Sequence, residues 1–237
     1  MRALLAEGLK IDWATMPTYN TVMAVAAGAG LLLVAGFGRR LTDAGAVLHA
    51  EGYSLAFGVL GLILTATGLH MTLTWPLAAG GFPFDNVIFG EPALAFGVML
   101  LFAALFLWKR GMALAEAPDR VEYVRRLAGP LSVFVLGMGL ACFGIAAAGV
   151  KYKLFAAPPE EPISGEFADY PMIEAVFISG LYFVVGLGAV LLPFALRRWN
   201  VVLVRVIWVC WSLTGLAFLL FGALNYFTHI GLIVNTM

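Results

Sequence analysis

Charge and cysteine are both scarce in this 237-residue chain, and each scarcity excludes a class of protein. Charged residues make up 12% of the sequence, about half the share found in a typical soluble domain. Lys plus Arg and Asp plus Glu number 14 each, which leaves no basic surplus for binding nucleic acid. The two cysteines, Cys142 and Cys210, lie in apolar runs without CxxC spacing, which excludes a disulfide framework and a four-cysteine zinc site. The Walker A, GxSxG and HExxH motifs are also absent, so the sequence favours a non-enzymatic role and identifies no catalytic residue.

Hydrophobic residues make up 62% of the chain, and most of them lie in six long runs. A transmembrane helix needs about 20 consecutive apolar residues, and period-2 alternation typical of barrel strands is absent. The six runs are 20–38, 52–73, 90–108, 130–150, 171–196 and 200–228. The sequence therefore predicts an all-α, polytopic membrane protein with six transmembrane helices in a single integral membrane domain, residues 1–237.

Basic residues are distributed unequally between the two ends of the predicted spans. The segments after spans one, three and five hold nine of them: Arg39, Arg40, Lys109, Arg110, Arg120, Arg125, Arg126, Arg197 and Arg198. The opposite side holds four: Arg2, Lys10, Lys151 and Lys153. By the positive-inside rule, we expect a protein of the cell membrane with the first group cytoplasmic and both termini outside.

Two connections are longer than the rest. Residues 109–129 carry alternating charge, which predicts a cytoplasmic helix lying in the membrane interface. Residues 151–170 contain Pro158, Pro159 and Pro162 and are too polar to be embedded, which predicts a loop on the outer side.

Glycine spacing suggests an internal repeat. Spans two, four and six each carry two glycines seven residues apart: Gly61 and Gly68, Gly137 and Gly144, Gly215 and Gly222. Seven residues are two helical turns, so each pair lies on one face, where small residues permit close helix contact. The beginnings of spans three and five, 84–97 and 167–180, also align. The pattern predicts three parallel hairpin repeats, spans one–two, three–four and five–six, with the glycine faces near the protein axis.

Four polar residues near the outer side are the candidate site. Glu91 and Glu174 open spans three and five, and His70 and His229 lie near the outer ends of spans two and six. Ionisable groups in membrane spans are costly and are candidates for function, although a carboxylate at a helix N-terminus also complements the helix dipole. We expect the four to converge in one pocket, where His70 and His229 would ligate a haem, or all four would bind a divalent metal. The alternative is that they are separate helix caps and hydrogen-bonded structural residues.

Several segments carry a resemblance to a known family. MPTYNTVMAVAAGAGLLL (16–33), GLHMTLTWPL (68–77) and FDNVIFGEPALAFG (84–97) resemble small multi-pass membrane proteins of actinobacteria and archaea, catalogued as domain of unknown function 981. The resemblance implies a fold and a membrane location. It draws attention to Asp85 and Asn86 beside His70 and Glu91 but implies no role for them.

Three functions remain open at this point. The favoured one is a non-catalytic or accessory subunit of a larger membrane assembly, such as a respiratory one, with the lipid bilayer and other membrane subunits or further copies of the chain as partners. The second is a haem- or metal-binding electron-transfer protein that uses the outer His and Glu residues. The third is a small transporter or channel. The sequence argues against it, because no span is broken at its centre, as spans of many transporters are.

Overall fold

The computed structural model describes residues 11–43, 45–75 and 82–237, and within them it contains helices and no strand. Six long helices make up the fold: α1 (Asn20–Thr42), α2 (Ala50–Leu73), α3 (Glu91–Ala115), α4 (Arg120–Tyr152), α5 (Pro171–Arg197) and α6 (Val201–Thr236). A π-helical turn, Asn86–Gly90, leads directly into α3, and a 3₁₀ turn, Ser164–Phe167, precedes α5. All six helices are long and apolar enough to cross a membrane. The all-α, six-span prediction is confirmed, and the chain is a multi-pass membrane protein.

The helices are antiparallel to their chain neighbours, which gives the bundle two distinct ends. We call the end that holds the start of α1 and the end of α6 the terminal end; it also holds the end of α2, the π-helical turn and the connection 153–170. We call the opposite end the arginine end; it holds the end of α1, the start of α2 and the connections 116–119 and 198–200.

The predicted interfacial helix over residues 109–129 is wrong. The segment is divided between two spanning helices, because α3 continues to Ala115 and α4 begins at Arg120. Pro118 lies in the turn between them and cannot continue a helix, since it has no N–H to donate. The Asp119 carboxylate then accepts a hydrogen bond from the Glu122 N–H at 2.9 Å, which caps α4.

The helices pair differently from the predicted hairpins. The most extensive interfaces join α2 to α3, α4 to α5 and α1 to α6, whereas α3 and α4 share very little surface. The predicted hairpin units, spans one–two, three–four and five–six, are therefore not the most closely packed pairs. The close pairs are instead α2 with α3 and α4 with α5, which follow one another in the chain, and the first helix with the last, α1 with α6.

Glycine explains this pairing, because each close pair crosses where two glycines meet. A Cβ built on Gly61 of α2 would lie 3.0 Å from the Gly97 carbonyl oxygen of α3. On Gly139 of α4 it would lie 2.9 Å from the carbonyl oxygen of Gly186 in α5. Similarly, on Gly215 of α6 it would lie 2.9 Å from the carbonyl oxygen of Gly28 in α1. Without side chains, the backbones approach closely enough for van der Waals packing to hold the helices together in lipid.

The glycine faces were predicted correctly in two of the three even-numbered helices. Gly68 and Gly222 also pack closely, against Leu94 and Ala24, like their partners seven residues earlier. In α4, however, no described residue lies within 4 Å of a Cβ built on Gly137 or Gly144. The contact glycines of α4 are Gly139 and Gly149, and the sequence alignment selects neither of them. The close contacts of Gly61, Gly68, Gly215 and Gly222 lie within the helix pairs.

Candidate functional site

A cavity of about 150 Å³ lies at the terminal end of the bundle. Its walls come from the segment that precedes α1, the π-helical turn, the 153–170 connection and the facing ends of α5 and α6. Its ionisable lining residues are Asp85, Glu161, Glu174 and His229. Its aromatic lining residues are Trp13, Phe82, Phe84, Phe89, Phe155 and Phe221. Among the described residues that line it there is no Lys or Arg, so its charged groups are predominantly acidic.

The structure brings two of the four predicted site residues together and separates the other two. Glu174 and His229 line the cavity. His70 lies elsewhere, and its Nδ1 shares a 2.7 Å hydrogen bond with the Tyr19 hydroxyl. Glu91 is exposed and lies in a groove between α3 and α4. The expected convergence of all four in one pocket is wrong, because α2 and α3 form their own close pair and present these two side chains outside the cavity.

This arrangement bears on the predicted cofactors. Only one of the two candidate haem ligands, His229, lines the cavity, so the described cavity offers no second imidazole for axial ligation. Within the described ranges, no three His, Cys, Asp or Glu side chains come close enough together to hold a metal ion. The cavity carboxylates therefore surround a space without converging on a single point.

Glu174 both lines the cavity and secures part of its wall. It lies in the first turn of α5, where a carboxylate complements the helix dipole. Its Oε2 accepts a 2.7 Å hydrogen bond from the Ala157 N–H, which ties the connection after α4 to the beginning of α5. The helix-end and functional interpretations of this residue are thus compatible.

Glu161 is the acidic neighbour of His229, and its Oε1 lies 3.8 Å from the imidazole Nε2. Burial raises the pKa of the Glu161 carboxyl, and the neighbouring Thr228 hydroxyl lowers that pKa by a smaller amount. The connection is held against α6 by the Asn235 amide, which donates to the Glu160 carbonyl oxygen at 2.8 Å. Sequence reasoning missed Glu161 because it lies in a loop, and neither helical spacing nor an adjacent motif links it to His229.

Asp85 is the most deeply buried acid of the cavity, with 4% of its surface exposed. No described residue forms a hydrogen bond or ion pair with its carboxyl group. Burial raises the pKa of Asp85 to about 7, because a low-dielectric environment disfavours the charged form. Near neutral pH this carboxyl is therefore partly protonated.

The π-helical turn that follows Asp85 is held to α2 and to α5 by side-chain hydrogen bonds. Asn86 Nδ2 donates to the carbonyl oxygens of Met71 and Thr74 at the end of α2. Pro92 has no N–H for the carbonyl of Ile88, four residues earlier, and the Tyr182 hydroxyl of α5 donates to that oxygen at 2.6 Å. Turns of this kind occur frequently at functional sites. Here the turn positions Asp85 and connects α3 to α5, two helices from different close pairs.

Comparison with known proteins yields one match. A family model described as "Protein of unknown function (DUF981)" matches residues 16–231, which is most of the chain. Neither the curated proteins nor the solved structures include a match to the chain. The matched region contains every described cavity residue except Trp13, Leu232 and Ile233.

Proposed function

We propose that this chain, which belongs to the DUF981 family of proteins of unknown function, is a membrane protein that binds a small cation in the cavity at its terminal end. The observation that carries the proposal is the charge of the cavity. Three carboxylic acids and one imidazole line it, and none of the described lining residues is a Lys or Arg.

Ordinary helix capping does not account for this set of residues. Asp85 precedes a π-helical turn without forming a side-chain cap, and Glu161 lies in a loop. Of the three acids, Asp85 is buried and has no partner among the described residues. A buried carboxylate is costly when it is charged and unpaired, so the site needs a proton or a bound cation at this position. A cation that enters from water would meet acceptor oxygens from three separate elements of the fold.

The distribution of the basic residues supports an orientation of the cavity in the membrane. The arginine end has the larger share of Lys and Arg, and the positive-inside rule supports a cytoplasmic location for it. The cavity would then open outside the cell membrane. We expect an introduced cysteine at Ala115 to resist impermeant thiol reagents in intact cells and to react after the cells are broken, whereas labelling in intact cells would contradict this orientation.

The binding test uses the full chain purified in detergent. A ligand that binds only the folded state raises the melting temperature in proportion to the logarithm of its concentration over Kd. We would screen sodium, potassium, magnesium, zinc and small ammonium ions against wild type and Glu161→Gln, with Glu166→Gln as the control. Glu166 is an exposed acid of the same connection and is not part of the cavity lining.

At least one cation is expected to stabilise the wild type and the control but not Glu161→Gln. The proposal fails if no cation of the panel stabilises the wild type, or if all three proteins respond alike.

The accessory-subunit role predicted from the sequence is a second candidate, and the small contact between α3 and α4 favours it. These helices leave a groove of about 480 Å³, and every described residue that lines it is apolar except Glu91. A transmembrane helix of a larger assembly would fit such a groove. We expect Val98→Trp in the groove to shift the native-gel mass of the assembly to a smaller value. The control, Val209→Trp on α6, replaces a similarly exposed side chain outside the groove and is expected to leave that mass unchanged.

A further inference from the structure

The walls of the cavity narrow the choice of cation. Besides its three acids, the cavity is lined by six aromatic residues, drawn from the segment before α1, the 82–89 segment, the connection after α4, and α6. Aromatic faces attract cations through their quadrupole and also accept the apolar part of a ligand. Inorganic ions retain or replace a shell of oxygen ligands and gain less from such walls.

From this lining we propose that the cation is a small organic ammonium ion, with its nitrogen among the carboxylates of Asp85, Glu161 and Glu174 and its apolar part against the aromatic rings. The inference rests on the proposed function and identifies the ligand class of the same site.

Two further observations support this class. The acidic side chains do not converge as metal ligands, since within the described ranges no three of them could hold one ion. An ammonium nitrogen needs only one carboxylate at hydrogen-bond distance, and the other acids of the lining attract its charge over a longer distance. The cavity volume of about 150 Å³ is similar to that of an apolar cavity that binds benzene, which indicates a ligand of about six non-hydrogen atoms.

Polar atoms that lack a partner indicate where the ligand would bind. Asp85 lines the cavity with 4% of its surface exposed, and its carboxyl has no hydrogen-bond partner among the described residues. The Asn20 Oδ1 atom belongs to the same lining and is buried without a partner in the described part of the chain. Buried polar groups in proteins are normally hydrogen-bonded, so this set is consistent with a ligand that supplies the missing donors.

The proposal also predicts proton exchange. The titratable groups around Asp85 are Glu161, Glu174 and His229, which line the same cavity, and Tyr182 of α5, which interacts with its charge. The pKa of Asp85 is about 7. An ammonium ion stabilises the ionised form of a carboxyl, so its binding near pH 7 should release a proton. We expect the affinity to fall as the pH is lowered below about 7, by up to about tenfold for each pH unit if one proton is displaced.

The test compares a matched pair of probes by isothermal titration of the full chain in detergent. The first probe is 3-methylbutylamine, a primary amine with six non-hydrogen atoms, and the second is 3-methylbutan-1-ol, which has the same shape without the charge. We expect the amine to bind at least tenfold more tightly. Repeating the titration in buffers of different ionisation enthalpy measures the released proton.

Two variants test whether the amine binds in the cavity. Glu174→Gln retains an oxygen for the Ala157 N–H and removes the charge, so we expect a loss of at least tenfold in affinity for the amine with the fold intact. Trp13→Leu should weaken binding by about 3- to 30-fold, the range for loss of one cation–π contact. The control Glu166→Gln should bind as the wild type does.

The outcomes separate this inference from the proposed function. If sodium, magnesium or zinc binds and the amine does not, the cavity binds cations but the ligand class is wrong. Equal affinity for the amine and the alcohol also refutes the ligand class, because the carboxylates then contribute nothing. If no cation of either kind binds, both the proposed function and the inference fail.

Discussion

Two glycines of α4, only two residues apart, should respond in opposite ways to the addition of a methyl group. In Gly139→Ala the new Cβ would lie 2.9 Å from the carbonyl oxygen of Gly186 and 2.9 Å from both the backbone nitrogen and a methyl group of Val190. In Gly137→Ala no described residue lies within 4 Å of the new methyl group. The two variants therefore differ in packing but share the same chemistry and the same helix.

The expected magnitude follows from these distances. Carbon atoms pack best at about 3.5–4.0 Å, so α4 and α5 would have to separate by roughly 0.6 Å or more at their crossing point. Two of the three neighbouring atoms belong to the backbone and cannot rotate away. Overpacking of this kind costs about 1–3 kcal/mol, and we expect the upper half of that range. Gly137→Ala should be neutral or stabilising by up to about 1 kcal/mol through helix propensity.

Gly61→Ala provides an independent check of the same reasoning. Gly61 and Gly137 occupy equivalent places in the sequence repeat, yet a Cβ on Gly61 would lie 2.7 Å from the Leu101 backbone nitrogen. The structure therefore predicts that Gly61→Ala behaves like Gly139→Ala, whereas the sequence alignment predicts that it behaves like Gly137→Ala.

The assay is reversible unfolding of the purified full chain by SDS titration from a mild detergent, followed by circular dichroism. We expect the midpoints of Gly139→Ala and Gly61→Ala to fall and that of Gly137→Ala to remain at or above the wild-type value. Equal loss of stability in all three variants would refute the packing argument, because glycine would then matter through composition alone.

Three further predictions concern single interactions. Tyr182→Phe leaves the buried Ile88 carbonyl without its donor and should lower the free energy of unfolding by about 1–3 kcal/mol, whereas Tyr226→Phe, at an exposed ring, should have no effect in the same titration. Between about pH 4 and 7 the folded state keeps a proton on Asp85 that the unfolded state has lost. The stability that this bound proton contributes is therefore complete below about pH 4. It is lost as the pH rises to 7, by about 1.4 kcal/mol per pH unit. Asp85→Asn should flatten this dependence, and an unchanged slope would contradict the assignment. Asn200→Ala removes the side-chain cap of α6, whose Oδ1 accepts from the Val202 and Leu203 N–H groups, and should cost about 1 kcal/mol; a loss within error of zero would contradict the cap.

The composition and periodicity of the sequence were sufficient to predict the number and type of the helices. Apolar runs of about 20 residues have one stable solution in lipid, because each backbone N–H and C=O must be paired within the segment. For this reason the predicted spans match the observed helices and differ mainly at their ends. The interfacial helix was predicted wrongly because alternating charge resembles an amphipathic helix, whereas Pro118 and Asp119 turn that segment into a helix end and a helix start.

The candidate site was only partly predictable, for reasons of geometry. Glu174 and His229 were selected because they are polar residues near the ends of apolar spans, a signal that sequence contains. The same signal selected His70 and Glu91, which face Tyr19 and the α3–α4 groove instead. Side chains at successive positions of a helix point in directions about 100° apart. The depth of a residue in the membrane therefore does not determine which side chains it meets.

The sequence by itself thus determined that this chain is helical and crosses the membrane six times, because those properties depend on local hydrophobicity and on backbone hydrogen bonds within each segment. Only the tertiary structure decided which helices pair, since that depends on whether glycine faces meet, as they do at Gly139 and do not at Gly137. The tertiary structure also brought the loop residue Glu161 and the buried Asp85 into one cavity with Glu174 and His229. Residues so distant in sequence become neighbours through packing, for which local spacing carries no signal.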